Sequence, residues 1–264
     1  MVSPLGATGT AFLGMQPLLA GYLLLITIAA FTGGVSISFL TLGHRRLQVL
    51  LSFTGGVLLG VGTLHLIPHA FLELNDRIDA TMSWVLLGFF VMFLLERAFH
   101  AHSHHTVNGC ESTTTCLHDA AEYDRLHGHA PDPAHQTYKP SRWGWSGAFI
   151  GLGLHSLTDG VALAAAVHSD IGHGATWLAG LATFLAIFLH KPFDAGIIST
   201  LMLGSGIPRN ARLTLNFLYA LAVPIGSFAF VFGINFFGAS QSSLTGAALA
   251  LAAGAFLCIA AADL

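Results

Sequence analysis

The sequence predicts an all-α protein whose helices form a polytopic transmembrane bundle. Only 9% of the 264 residues are charged and 54% are hydrophobic, whereas about 25% of the residues of a soluble domain are charged. The mean hydropathy is +0.70. The apolar residues fall in seven segments, and each approaches or exceeds the ~20 residues with which a helix crosses a bilayer. A lipid bilayer is therefore the first partner that the sequence predicts.

One polar stretch, residues 100–143, divides the seven predicted spans. We therefore predict three parts: spans one to three in residues 1–99, a histidine-rich loop in residues 100–143, and spans four to seven in residues 144–264. The predicted spans are 17–42, 47–72, 81–99, 144–168, 174–203, 213–237 and 244–264.

Charge and cysteine content exclude other classes of protein. The formal net charge is −3, and there is no basic patch with interleaved aromatic residues, so no nucleic-acid partner is predicted. Cys110 and Cys116 lie in the polar stretch and Cys258 lies in an apolar segment, so no disulfide framework is predicted. The N-terminus lacks the basic region of a cleaved signal peptide, and we expect the first apolar segment to be retained as a span.

The stretch 100–143 has the composition of a metal-binding loop. It contains eight of the fifteen histidines and shows no helical or strand periodicity. Because histidine is the commonest metal ligand, we favour metal capture or sensing over the alternative, a polar linker whose histidine content is incidental. The candidate ligands for capture are His100, His102, His104, His105, His127 and His129.

The basic residues predict the orientation of the chain. Eight of the ten lysines and arginines lie in or beside the loops after spans one, three and five, whereas the loops after spans two, four and six hold only Arg77. Loops rich in Lys and Arg stay in the cytosol. We therefore place the histidine-rich loop in the cytosol and the N-terminus outside the cell membrane.

Spans four and five each carry a histidine followed by an aspartate four positions later. His155 precedes Asp159, and His190 precedes Asp194. Residues four apart lie on one face of a helix, so each span would present an imidazole and a carboxylate near the middle of the bilayer. Ionisable groups at that depth are costly and usually mark a functional site such as an ion pathway.

Two imidazoles and two carboxylates suit a divalent metal. Such a mixed set suits Zn(II) and tolerates Fe(II), Mn(II), Co(II) or Cd(II), whereas copper(I) prefers thiolates, which are missing near these residues. The alternative is a pair of satisfied polar contacts that hold two helices together. Two pairs on consecutive spans, with Pro192 predicted to bend the second helix, favour the metal site.

Two further features lie in apolar segments. Lys191 either neutralises a neighbouring aspartate or extends its long side chain toward an interface. His65 and His69 are four apart at the end of the second span, where Pro68 is predicted to kink or end the helix.

The chain resembles the ZIP (Zrt/Irt-like) family of divalent-metal transporters. The matching motifs are His-Ser-Leu-Thr-Asp-Gly at 155–160, His-Lys-Pro-Phe-Asp-Ala at 190–195 and His-Leu-Ile-Pro-His at 65–69. The last is similar to the family's His-Leu-Leu-Pro-Glu segment, with His69 in the position of the Glu. A long histidine-rich loop between spans three and four also resembles the family, and the resemblance runs from the first span to the end of the chain.

The resemblance implies eight helices with both termini outside, a transport site between helices four and five, and sliding of one helix group against another. The seventh apolar segment reaches Leu264, where the family would continue into an eighth helix, so either the sequence is a fragment or the last helix is absent. Zinc, or else Fe2+, Mn2+ or Cd2+, is implied as the transported ion, with no cofactor. The implied ligands of the primary metal site are His155, Asp159, His190 and Asp194.

Some family members hold a second metal beside the first. The positions of its extra ligands correspond to Ser156, Lys191 and Val223, where this chain has a hydroxyl, a cation and an aliphatic side chain. We therefore expect one metal, with Lys191 in place of the second ion's charge. The residues assigned to the wider metal pathway are His65, His69, Ser156 and Lys191.

The function predicted is import of a divalent metal by alternating access, without an enzymatic step. An intramembrane zinc enzyme is one alternative, but a zinc protease would carry a His-Glu-x-x-His pattern, and Leu66 follows His65. A metal-sensing receptor is the other, and a transport assay would separate it. A homodimer is an assembly that the sequence leaves open.

Overall fold

The computed structural model describes residues 5–36, 44–104, 144–175, 178–236 and 241–263. All regular structure in these ranges is helical, which confirms the predicted all-α class. A π-helical turn, Gly62–Leu66, joins the second and third helices. The helices are α1 (Leu5–Ser36), α2 (His44–Val61), α3 (Ile67–Glu73), α4 (Ile78–His104), α5 (Gly144–Gly172), α6 (Leu181–Gly204), α7 (Arg209–Ala220), α8 (Ala222–Phe236) and α9 (Gln241–Asp263).

Seven segments of the described residues are long and apolar enough to cross a membrane, which confirms the predicted number of spans. They are Pro17–Ser36, Gln48–Glu73, Ile78–Arg97, Trp145–Gly172, Leu181–Gly204, Arg209–Phe236 and Gln241–Ala262. Helix α4 continues past the third segment to His104. The stretch predicted as an irregular loop from residue 100 is therefore helical at its start, and residues 105–143 lie outside the described residues.

The second segment changes its winding instead of ending at Pro68. The Ile67 amide donates to the carbonyl of Gly62, five residues back, which is the π-helical pattern. Pro68 follows directly, in the first turn of α3, and has no N–H with which to continue the hydrogen-bond ladder. The chain then stays helical to Glu73.

The sixth segment is interrupted at Leu221, between α7 and α8. Pro224 lies in the first turn of α8 and has no N–H with which to continue the hydrogen-bond ladder from α7. Tyr219 lies before this interruption and Val223 after it, and both side chains are buried. The interruption therefore falls where the sixth segment packs inside the bundle.

Glycines allow the backbones of α5 and α8 to approach closely. A Cβ atom on Gly160 would overlap the carbonyl oxygen of Val223, and one on Gly226 would overlap that of Leu157. Ser227 donates a hydrogen bond of 2.7 Å to the Gly160 carbonyl across the same contact. Because lipid chains are as apolar as leucine, close packing of this kind is a main source of helix association in a bilayer.

The buried core lies along α1, α5, α6 and α9. Ile26, Leu163 and Ile187 are fully buried there, and Phe256 of α9 packs in the same cluster. Helix α4 instead exposes large apolar side chains, as expected of a helix that faces lipid: Trp84, Leu87, Phe90 and Leu94. This arrangement places α5 and α6, which carry both His–Asp pairs, inside the bundle.

Candidate metal site

The four predicted ligands of spans four and five meet in one place. His155 Nε2 lies 3.4 Å from Asp159 Oδ2 and 3.7 Å from Asp194 Oδ2. His190 Nε2 lies at 3.4 Å and 3.7 Å from the same two oxygens. Two imidazoles from two helices thus face one pair of carboxylate oxygens. We call this group the central site.

The central site is enclosed, and several of its polar atoms have no hydrogen-bond partner among the described residues. The side chain of Asp159 is 0% exposed and that of His155 is 4% exposed, whereas that of Asp194 is 18% exposed. Both ring nitrogens of His155 and Oδ1 of Asp159 are buried without a hydrogen-bond partner. Buried polar atoms are normally satisfied, and a bound cation would satisfy the Nε2 atom and the carboxylate.

The backbone of α6 orients the His190 ring. Its Nδ1–H donates to the carbonyl of Ala186 at 2.8 Å, which leaves the lone pair of Nε2 directed toward Asp159 and Asp194. Lone pairs that face each other repel unless a proton or a metal ion lies between them. The arrangement therefore favours a cation among the four side chains.

Lys191 contributes a positive charge to the central site. Its Nζ atom lies 2.5 Å from Asp159 Oδ2 and 3.6 Å from Asp194 Oδ2, and its side chain is 0% exposed. The same atom lies 5.5 Å from the centroid of the Tyr219 ring. Of the two roles considered for Lys191, neutralisation of the aspartates fits this geometry, because the side chain does not extend toward an interface.

Tyr219 is a site residue that the sequence analysis missed. Its hydroxyl donates to Asp194 Oδ2 at 3.4 Å, and its ring lies beside Lys191. The one signal available was its spacing of four residues from Val223, a position that the family resemblance had already singled out. That spacing is a weak signal, because Pro224 cannot continue the hydrogen-bond ladder of a regular helix through both residues.

Ser156 and Val223 are buried, but their side chains do not supply ligands to the central site. The Ser156 hydroxyl donates to the Leu152 carbonyl of its own helix at 2.7 Å. Val223 packs in the apolar core. The additional positive charge in the central site comes from Lys191.

His65 and His69 lie away from the central site, next to Asp170 near the end of α5. His69 Nδ1 is 3.3 Å from Asp170 Oδ1, and His65 Nε2 is 3.8 Å from Asp170 Oδ2. One ligand atom from each of the three residues lies within 4.8 Å of the others. We call these residues the distal cluster. Asp170 was not predicted, because no local pattern connects it to two histidines of a different span.

The histidine-rich stretch is described only in part. His100, His102 and His104 lie at the end of α4. His105, His127 and His129 lie outside the described residues. Metal capture by this stretch therefore remains a prediction.

Comparison with known proteins identifies the family. The sequence model of the ZIP zinc transporter family matches residues 16–264. A zinc transporter ZIP9 from Micropogonias undulatus is 30% identical over 177 residues, which is 61% of this chain and 52% of that protein. A zinc transporter ZIP9 from Xenopus tropicalis is 35% identical over 120 residues, which is 42% of this chain and 36% of that protein. No solved structure matches the chain.

The matched segments thus span about half of these curated relatives or less. The family match itself covers nearly the whole chain, and it includes both His–Asp pairs and the distal cluster. The chain belongs to the ZIP zinc transporter family.

Proposed function

We propose that this chain carries a divalent metal ion, with zinc as the first candidate, across a membrane through the central site. The observation that carries the proposal is the meeting of four ligands, from α5 and α6, inside the bundle. The relatives named above are zinc transporters. Transport needs no nucleophile or general base, so the proposed function is not enzymatic.

The distances in the central site fit a zinc ion. Nitrogen and oxygen ligands lie about 2.0–2.2 Å from tetrahedral zinc, and such ligands are therefore roughly 3.3–3.6 Å from one another. The nitrogen-to-oxygen distances of 3.4 Å and 3.7 Å are close to this range. Ligand atoms of His155, Asp159 and His190 lie within 4.8 Å of one another, and a movement of the Asp194 carboxylate toward them would complete the set of four on one ion.

We assign one metal ion to the central site. Lys191 already contacts both aspartates, and a second divalent ion beside it would meet strong repulsion in a medium of low dielectric. Lys191 thus takes the place of a second ion's charge. Ser156 lies next to His155 on the pathway without acting as a ligand.

The finer details of transport follow from the sequence. The donor set also accepts Fe2+, Mn2+ or Cd2+. The membrane proposed is the cell membrane, and the distribution of basic residues supports an orientation with the N-terminus outside and the histidine-rich loop in the cytosol, so the proposed direction of transport is into the cytosol. A homodimer is the proposed assembly to test.

Zinc uptake into proteoliposomes tests the proposal. The variants His155→Ala and Asp194→Ala should each lose saturable uptake while they still insert and elute as folded protein. His168→Ala is a matched control, because His168 lies on the same helix as His155 but contacts Thr245 and Phe230. Uptake at the wild-type rate by a folded double variant would contradict the proposal. A metal-sensing receptor would bind zinc without moving it.

A further inference from the structure

The distal cluster is well separated from the central site. Asp170 follows Asp159 by eleven residues on α5, which corresponds to roughly 16 Å along the helix axis at 1.5 Å per residue. It lies near the end of α5 that is farther from the histidine-rich stretch. His65 comes from the π turn and His69 from α3, so the cluster joins the second and fourth membrane segments.

The π turn brings the two histidines together. Their ring centroids are 4.5 Å apart. The hydrogen bond between residues five apart widens the helix here and so changes the direction in which each residue after Leu66 points. Single π-helical turns are rare and occur frequently at functional sites. Here the turn and the following Pro68 place both rings beside the same carboxylate.

His65 has the unsatisfied atom in this cluster. Its Nε2 is buried without a hydrogen-bond partner and lies 3.8 Å from Asp170 Oδ2, too far for a hydrogen bond. A buried imidazole nitrogen without a partner is costly. A metal ion between the rings and the carboxylate would satisfy it.

Asp170 also has a structural role, but this role leaves it able to bind a metal. Its Oδ2 accepts a hydrogen bond of 2.7 Å from the amide of Gly180, whose φ of 71° is in the left-handed region. A carboxylate offers about four lone pairs, so Oδ1 and one lone pair of Oδ2 remain available. His69 Nδ1 lies 3.3 Å from that Oδ1.

We propose that His65, His69 and Asp170 form a second binding site for a divalent metal, occupied by the transported ion before it reaches or after it leaves the central site. The assignment of the ion rests on the proposed function. The side chains of His65 and His69 are 22% and 25% exposed, which lets water complete the coordination and lets the ion exchange. Three ligands, two of them partly exposed, hold an ion more weakly than four ligands of which three are buried, as suits a transient site.

Zinc stoichiometry tests the inference. The background is the full chain with the eight histidines of 100–135 replaced by Asn and with Cys110 and Cys116 replaced by Ser, so that this stretch offers no imidazole or thiolate to the metal. Equilibrium dialysis with Zn2+ should give two ions per chain in this background. One ion should remain after His65→Asn with His69→Asn, one after His155→Ala with His190→Ala, and none when all four are replaced.

Two further variants separate ligation from folding. Asp170→Asn keeps an oxygen that can accept from the Gly180 amide but removes the charge, and it should weaken the second zinc ion at least tenfold. His168→Asn should leave both ions bound. The inference is overturned if the His65 and His69 double variant, or Asp170→Asn, binds two zinc ions with unchanged affinity.

The outcome is independent of the transport assay. If zinc binds at the distal cluster but the protein moves no zinc, the proposed function is wrong and the second site stands. If the protein transports zinc but the stoichiometry is unchanged in both distal variants, the second site is wrong and the proposed function stands.

Discussion

At the scale of residues, Lys191 and Asp159 set the electrostatic balance of the central site. Both side chains are fully enclosed, and they touch each other. Removing one member of a buried ion pair leaves an uncompensated charge, which typically costs about 3–5 kcal/mol. Lys191 therefore has two consequences: it stabilises the protein when no metal is bound, and it limits the positive charge that the site can accept.

Replacing Lys191 by Met tests this balance. The metal-free Lys191→Met protein should be less stable than wild type by about 3–5 kcal/mol, because Asp159 and Asp194 lose their cation. Added zinc should raise its melting temperature more than that of wild type, since the ion becomes the cation for both acids. Equal melting temperatures of the two metal-free proteins would show that Lys191 does not compensate the aspartates.

Tyr219 should tune the affinity of the site without being essential to it. Tyr219→Phe removes the hydroxyl that donates to Asp194 but keeps the ring beside Lys191. Loss of one such hydrogen bond costs about 0.5–1.5 kcal/mol, so the zinc Kd should rise about two- to tenfold by titration in detergent. A change of a hundredfold or more would mean that Tyr219 itself holds the ion.

At the scale of elements, the close contact between α5 and α8 holds the site helix in place. Gly160 lies one residue after Asp159. A Cβ atom at this position would point into the backbone of Val223. Any side chain there would separate the two helices or rotate α5. The position of Asp159 thus depends on the absence of a side chain at the next residue.

A pair of glycine substitutions on α5 tests that dependence. Gly160→Ala should destabilise the protein by about 1–3 kcal/mol through overpacking, and it should also weaken zinc binding because Asp159 moves. Gly153→Ala is the matched control, since a Cβ there meets no atom within 4 Å. Thermal unfolding and zinc titration should leave the control unchanged or slightly stabilised. Equal behaviour of the two variants would show that the α5–α8 contact is not tight.

Local features of the fold could be predicted from the sequence, whereas contacts between distant segments could not. The seven apolar segments and the spacing of four in each His–Asp pair are properties of single segments, so the spans and the common face of each pair could be predicted. The meeting of Asp170 with His65 and His69 depends on how the second and fourth segments pack. The π turn before Pro68 is a change of winding over five residues, which is too short to leave a hydrophobic period in the sequence.

At the scale of the whole molecule, the two clusters and the histidine-rich stretch suggest successive places for one ion. The distal cluster lies toward one end of α5, the central site lies along it, and the histidine-rich stretch precedes its other end. The fold encloses His155, Asp159 and His190 of the central site, while the distal histidines are partly exposed. Transport in this account is the transfer of an ion between sites of different exposure.

Deleting part of the histidine-rich stretch tests its place in that path. The variant that lacks residues 106–135 should still transport zinc, because the central ligands are all on α5 and α6. It should bind fewer zinc ions per chain, since it loses four histidines. Complete loss of uptake at normal expression would show that the stretch is part of the transport path rather than a place where ions gather.

The most direct measurement is to locate zinc by anomalous scattering in crystals of the zinc-loaded protein. The account predicts one strong peak about 2.0–2.2 Å from ligand atoms of His155, Asp159, His190 and Asp194. Lys191 should remain beside the aspartates without contacting the ion. A fully loaded protein with no zinc peak between α5 and α6 would contradict the central claim.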